Sequence, residues 1–119
     1  MIPVIKNKMI TGEKSFRVGL STADGMVVVM ANTIMRCKAL NNYTRFYFTN
    51  ERPMLVCRTL RYFEEQLTTA DFIRIHRGEM INKNFIANIN RSGMHWLTDG
   101  SRLTISRRRK RKVFNAVAC

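Results

Sequence analysis

Short runs in which apolar and polar residues alternate cover most of this chain, and they predict strands before anything else is considered. "SFRVGLS" places Phe16, Val18 and Leu20 on one face, and "ADG" supplies a turn. "MVVVM" follows as a continuous apolar run, expected to be the more buried strand of a first hairpin. "TIMRCKA" reads as a third strand and "LNN" as its turn. In "YTRFYFTN", Thr44, Phe46 and Phe48 share one face while Tyr43, Arg45 and Tyr47 share the other, and Pro53 ends the turn before "MLVC".

From Thr59 the period changes. Leu60, Phe63 and Leu67 recur at helical spacing, Thr59 is a capping residue type, and Glu64 and Glu65 fall on the polar side, so one short helix is expected, closed by "TTAD". "FIRIH" returns to alternation, "RGEMINKN" reads as a loop or single turn, and "FIANI" continues as strand. "RSG" then turns the chain into "MHWLT", which "DG" joins to "SRLTIS" as a tight hairpin. Beyond Ser106 the tail fits a short second helix, because Val113, Phe114 and Val117 fall on one side of a helical period. The expected fold is mainly β, with one short internal helix and a short C-terminal one. A lead-in over residues 1–14 precedes a single domain over residues 15–119.

A chain of 119 residues with 45% apolar content supports one core and is too short for two ordinary domains. Charge sharpens the picture. Against 8 Asp and Glu stand 21 Lys and Arg, a formal +13 that repels itself in any compact state and is most simply explained by a polyanionic partner. Nucleic acid comes first, an anionic membrane surface second and an acidic protein third. No run approaches the roughly 18 apolar residues of a spanning helix, and "MIPVIKNKMITGEK" lacks a signal peptide's apolar core, so a cytoplasmic location is expected. Cys37, Cys57 and Cys119 outline neither a disulfide framework nor a zinc site and read as reduced thiols; no cofactor or metal is expected.

Several residues could carry chemistry. Arg107 to Lys112 are consecutive cations, a solvated basic tail on one reading; if Val113 and Phe114 turn inward on a helix, Arg108, Arg111 and Lys112 face outward as phosphate contacts. Arg77 follows an alternating strand and sits beside Gly78, where its fork could read guanine in a major groove, although a surface arginine paired with Glu79 fits the spacing equally well. His76 ends its strand and reads more readily as a hydrogen-bonded structural residue than as a ligand, and Asn82 could satisfy loop backbone or reach a base or phosphate. Tyr43 and Tyr47 flank Arg45 on one strand face, which suggests an RNA-binding sheet, but the RNP1 glycines and spacing are absent. No nucleophile elbow, paired carboxylates near a histidine, phosphate-cradling glycine loop or HExxH occurs, so neither an enzyme nor a small-molecule substrate is expected.

In this order, "CKALNNYTRFYF", "FIRIHRGEMINKNFI" and "LTDGSRLTISRRRKRKV" resemble the LytTR DNA-binding domain, the output domain of many bacterial response regulators, over roughly residues 34–114. The resemblance implies an elongated, antiparallel β fold that lays loops into successive major grooves of double-stranded DNA at repeated half-sites, with a homodimer on DNA as an open arrangement. Position by position it implies contacts from Arg77 and Arg107, a further basic contact from Lys110, and an approach of Asn42, Tyr43, Thr44 and Arg45 to backbone or base edges. Glu79 departs from the family's usual small, aromatic or apolar residue and could pin Arg77 or sharpen base preference. No receiver domain precedes the match, which implies a standalone regulator or an excised domain. A basic RNA-binding module remains the alternative.

Overall fold

The computed structural model describes residues 17–90 and 94–118. Strands β1 (Arg17–Thr22) and β2 (Gly25–Met30) form a hairpin. After a 3-10 turn come β3 (Ile34–Leu40), β4 (Tyr43–Phe48) and β5 (Met54–Val56), then helix α1 (Leu60–Thr68). Strands β6 (Phe72–His76), β7 (Glu79–Asn82), β8 (Ile86–Ile89), β9 (Met94–Leu97) and β10 (Arg102–Thr104) follow, and a 3-10 turn over Arg107–Arg109 leads into α2 (Lys110–Ala118). The strands make a two-stranded sheet β1-β2, a central sheet in the order β5-β4-β3-β7-β6 and a three-stranded sheet β10-β9-β8, every recorded pairing antiparallel.

Both faces of the central sheet are used, unequally. One face carries Cys37, Phe46, Val56, Phe72 and Met80 against Leu60, Phe63 and Leu67 of α1 and against Val18 and Leu20 of β1. Phe46 and Phe63 meet edge to face with ring centroids 5.0 Å apart, the geometry that aromatic quadrupoles favour. The opposite face carries Ile73, Ile75 and Ile81 against Leu97, Ile105 and Val113. That second core covers the β7-β6 side, while Tyr43, Arg45 and Leu55 on the β5-β4 side remain exposed.

α1 begins where a cap permits: the Thr59 side chain accepts a hydrogen bond from the Tyr62 amide at 3.3 Å. The tail helix also forms, with Val113 inward and Arg108, Arg111 and Lys112 exposed. Three expectations require comment. "EMIN" is a central strand rather than a loop, because Met80 enters one core and Ile81 the other, and a strand buried on both faces shows no alternation. "MVVVM" is exposed rather than buried: Met26, Val28 and Met30 are 66, 50 and 40% accessible. An apolar run marks a strand but does not say what covers it. The "RSG" turn and the start of "SFRVGLS" lie outside the described residues.

Candidate nucleic-acid interface

Three segments far apart in sequence converge at one end of the central sheet. The first is the β3-β4 turn, where Asn41 takes a left-handed conformation (φ 57°) that asparagine tolerates and Asn42 is exposed. The second is the β6-β7 turn carrying Arg77. Since β3 pairs antiparallel with β7, the end of the one lies beside the start of the other, and the Ala39 amide donates to the Gly78 carbonyl at 2.8 Å. The third segment is the entry to α2. The β6-β7 register skips Ile75, an extra residue that bulges, and its carbonyl accepts the Ser106 amide at 2.8 Å. Arg107 follows immediately.

The Arg77 turn is held from within. Arg74 donates through Nε to the His76 carbonyl at 3.1 Å and through its second terminal nitrogen to the Arg77 carbonyl, while Nη1 meets Glu64 of α1 at 2.5 Å. His76 Nδ1 accepts the Gly78 amide at 3.1 Å. With the backbone satisfied in this way, the exposed Arg77 side chain has no hydrogen-bond or ion-pair partner among the described residues. Glu79 does not pin Arg77: it pairs with Arg36 at 2.6 Å, and the Arg36 guanidinium lies 3.9 Å from the Tyr47 ring centroid. The strand register decides this, since Glu79 points to the β3 face that Arg36 shares.

Asn42, Tyr43, Arg45, His76, Arg77, Arg107, Arg108 and Arg111 are exposed, and Lys110 is half-buried. Two expected contact residues are not at the surface. Thr44 is 0% accessible, its hydroxyl donating to the Arg58 carbonyl at 2.8 Å, so its role is to fasten the chain after β5. Asn82 is 1% accessible; its amide nitrogen donates to the Ile34 carbonyl at 3.1 Å and its oxygen accepts the Asn84 amide at 3.0 Å. Both side chains are buried and bonded within the protein, where they hold the scaffold beneath the exposed turns.

Lys38 and Arg58 were not anticipated from the sequence. Lys38 stands exposed, with Arg45 directly across on the β4 side and Glu79 directly across on the β7 side, so one like charge and one opposite charge flank it. The alternation of Arg36 and Lys38 opposite Arg45 across a two-residue turn was the available signal. Arg58 lies with its guanidinium 4.7 Å from the Tyr62 ring centroid, fixed near this end by the Thr44 bond.

Elsewhere the chemistry is structural. Burial pushes the Cys37 thiol up, away from a reactive thiolate. The Ser101 hydroxyl and amide both bond the Asp99 carboxylate and hold it below the ordinary range, closing the β9-β10 turn. No described helix is long and apolar enough to cross a membrane.

The sequence profile of the LytTr DNA-binding domain matches residues 24–118. Among solved structures, the chain is similar to the LytTr DNA-binding domain of a protein from Bacillus cereus described as a methyl-accepting/DNA response regulator. That likeness has a TM-score of 0.72 and 26% identity, and covers 90% of this chain and 100% of that one. No curated protein matches.

Proposed function

The chain belongs to the LytTR family of DNA-binding domains, and from that premise we propose that it is a sequence-specific transcription regulator whose loops, not a recognition helix, read the duplex. The observation that carries this reading is the junction of the Arg77 turn, the Asn42 turn and the Ser106–Arg107 segment through the Gly78 and Ile75 carbonyls. A guanidinium held by a rigid backbone and free of acidic partners suits bidentate contact with guanine. Arg107 and Arg77 are assigned to base edges. Asn42, Tyr43 and Arg45 border them, with Lys38 and Arg58 as added cations, and Arg108, Lys110 and Arg111 meet phosphates.

With the Arg77, Asn42 and Arg107 segments meeting at one end of the central sheet, one domain presents its base-reading contacts to one short stretch of duplex. Repeated half-sites follow if two domains bind side by side.

Selection from random duplex DNA, followed by titration of the recovered site, its single-base variants and matched single-stranded RNA at one salt concentration, tests the proposal. A recovered motif bound far more tightly than its variants is the expected result. Equal binding of all duplexes would reduce the protein to a non-specific DNA binder, and preference for RNA would replace the proposal altogether.

A further inference from the structure

The β1-β2 hairpin joins the body through β1: the Cys57 amide donates to the Ser21 carbonyl at 2.7 Å, which leaves β2 outermost. Met26, Val28 and Met30 are exposed on its outward face, and Val27 is 39% accessible on the other. Thr22 and Gly25 pair across a two-residue turn as the hydrogen-bonded closing pair. Alternation then directs the backbone groups of Val27 and Val29 to β1, and those of Met26, Val28 and Met30 away from it. No described strand lies on that edge. Proteins ordinarily blunt such an edge with lysine, proline or a bulge, and "GMVVVM" has none of these.

We propose that this edge pairs with the same edge of a second copy, antiparallel about a two-fold axis through Val28. The run "MVVVM" reads identically in both directions, so this register sets Met26 against Met30 and Val28 against itself. Their amides and the carbonyls of Met26 and Val28 point outward and find partners in the facing strand, while the Met30 carbonyl, which already accepts the Thr33 hydroxyl at 2.7 Å, offers its second lone pair to the facing Met26 amide. Charge also selects the occupant. A chain of formal charge +13 resists its own copy over much of its surface, but β2 carries no charge, and the antiparallel arrangement brings the Asp24 end of one hairpin toward the Arg17 end of the other. The two copies join into a four-stranded sheet, leaving the Arg77 turn outside the contact.

Sedimentation of the full chain up to concentrations on the order of 100 µM, with amide hydrogen exchange read at Met26, Val28 and Met30, tests this without DNA and so independently of the regulator reading. The wild-type protein is expected to form a dimer in which these amides exchange slowly. Val28→Lys sets two ammonium groups against each other and raises the dimer dissociation constant on the order of tenfold or more, with an unchanged circular dichroism spectrum; Val28→Thr keeps the dimer. A wild-type monomer throughout, or undiminished dimerisation of Val28→Lys, overturns the proposal. Slow exchange at the edge in a monomer overturns it too, because the edge would then be protected without a second copy.

Discussion

Arg77 owes its position to a neighbour three residues earlier. Arg74 places its guanidinium under the His76 and Arg77 carbonyls and anchors itself to Glu64, so the turn is tied to helix α1 and the Arg77 side chain is left to project. On the proposed mechanism, Arg77→Ala loses about 1–3 kcal/mol of discrimination at one base pair; titrations on single-base variants of the selected site measure it. Arg74→Gln removes the fork beneath the turn and is expected to weaken discrimination at that same base pair. Combining it with Arg77→Ala then adds little further loss, because both changes act on one contact. A double-mutant cycle checks this, and two fully additive losses would mean that Arg74 acts elsewhere.

At the scale of elements, the bulge at Ile75 links β6 to the start of α2. Its carbonyl is left outside the β6-β7 ladder and is satisfied by the Ser106 amide, which joins the Arg77 and Arg107 segments by one backbone bond. Ser106 already has φ −63°, a value that proline adopts without strain. Ser106→Pro therefore removes the donor while keeping the backbone angle. Urea unfolding should show a loss of about 1 kcal/mol, and on the proposed mechanism affinity for the selected site should fall more than affinity for random duplex, since the Arg77 and Arg107 segments lose their common anchor. An equal fall for both would separate this hydrogen bond from specificity.

For the whole molecule, the surplus of cations matters more than any one of them. Exposed lysines and arginines without acidic partners release counterions wherever they meet phosphates, whatever the base sequence. Arg111→Ala is expected to weaken binding to all duplexes alike and to lower the slope of log affinity against log salt by about one; titrations at several salt concentrations on specific and random DNA provide the test. A loss confined to the specific site would instead make Arg111 a base-reading residue.

Much of this architecture can be read along the chain because hydrophobic burial follows local periods. Phe63 and Leu67 mark a helical stripe, Phe46 and Phe48 a strand face, and Val113 the inward side of a terminal helix. The charge surplus and the exposed position of Arg77 in a turn are equally local properties. Tertiary structure decided what depends on partners distant in sequence. It buried Thr44 and Asn82 by giving them the carbonyls of Arg58 and Ile34, turned Glu79 to Arg36, and made a central strand of "EMIN" by placing a core on each face. It also left "MVVVM" uncovered. A residue's own pattern fixes which of its faces is apolar, whereas the atoms that meet that face are fixed only when strands from elsewhere in the chain arrive.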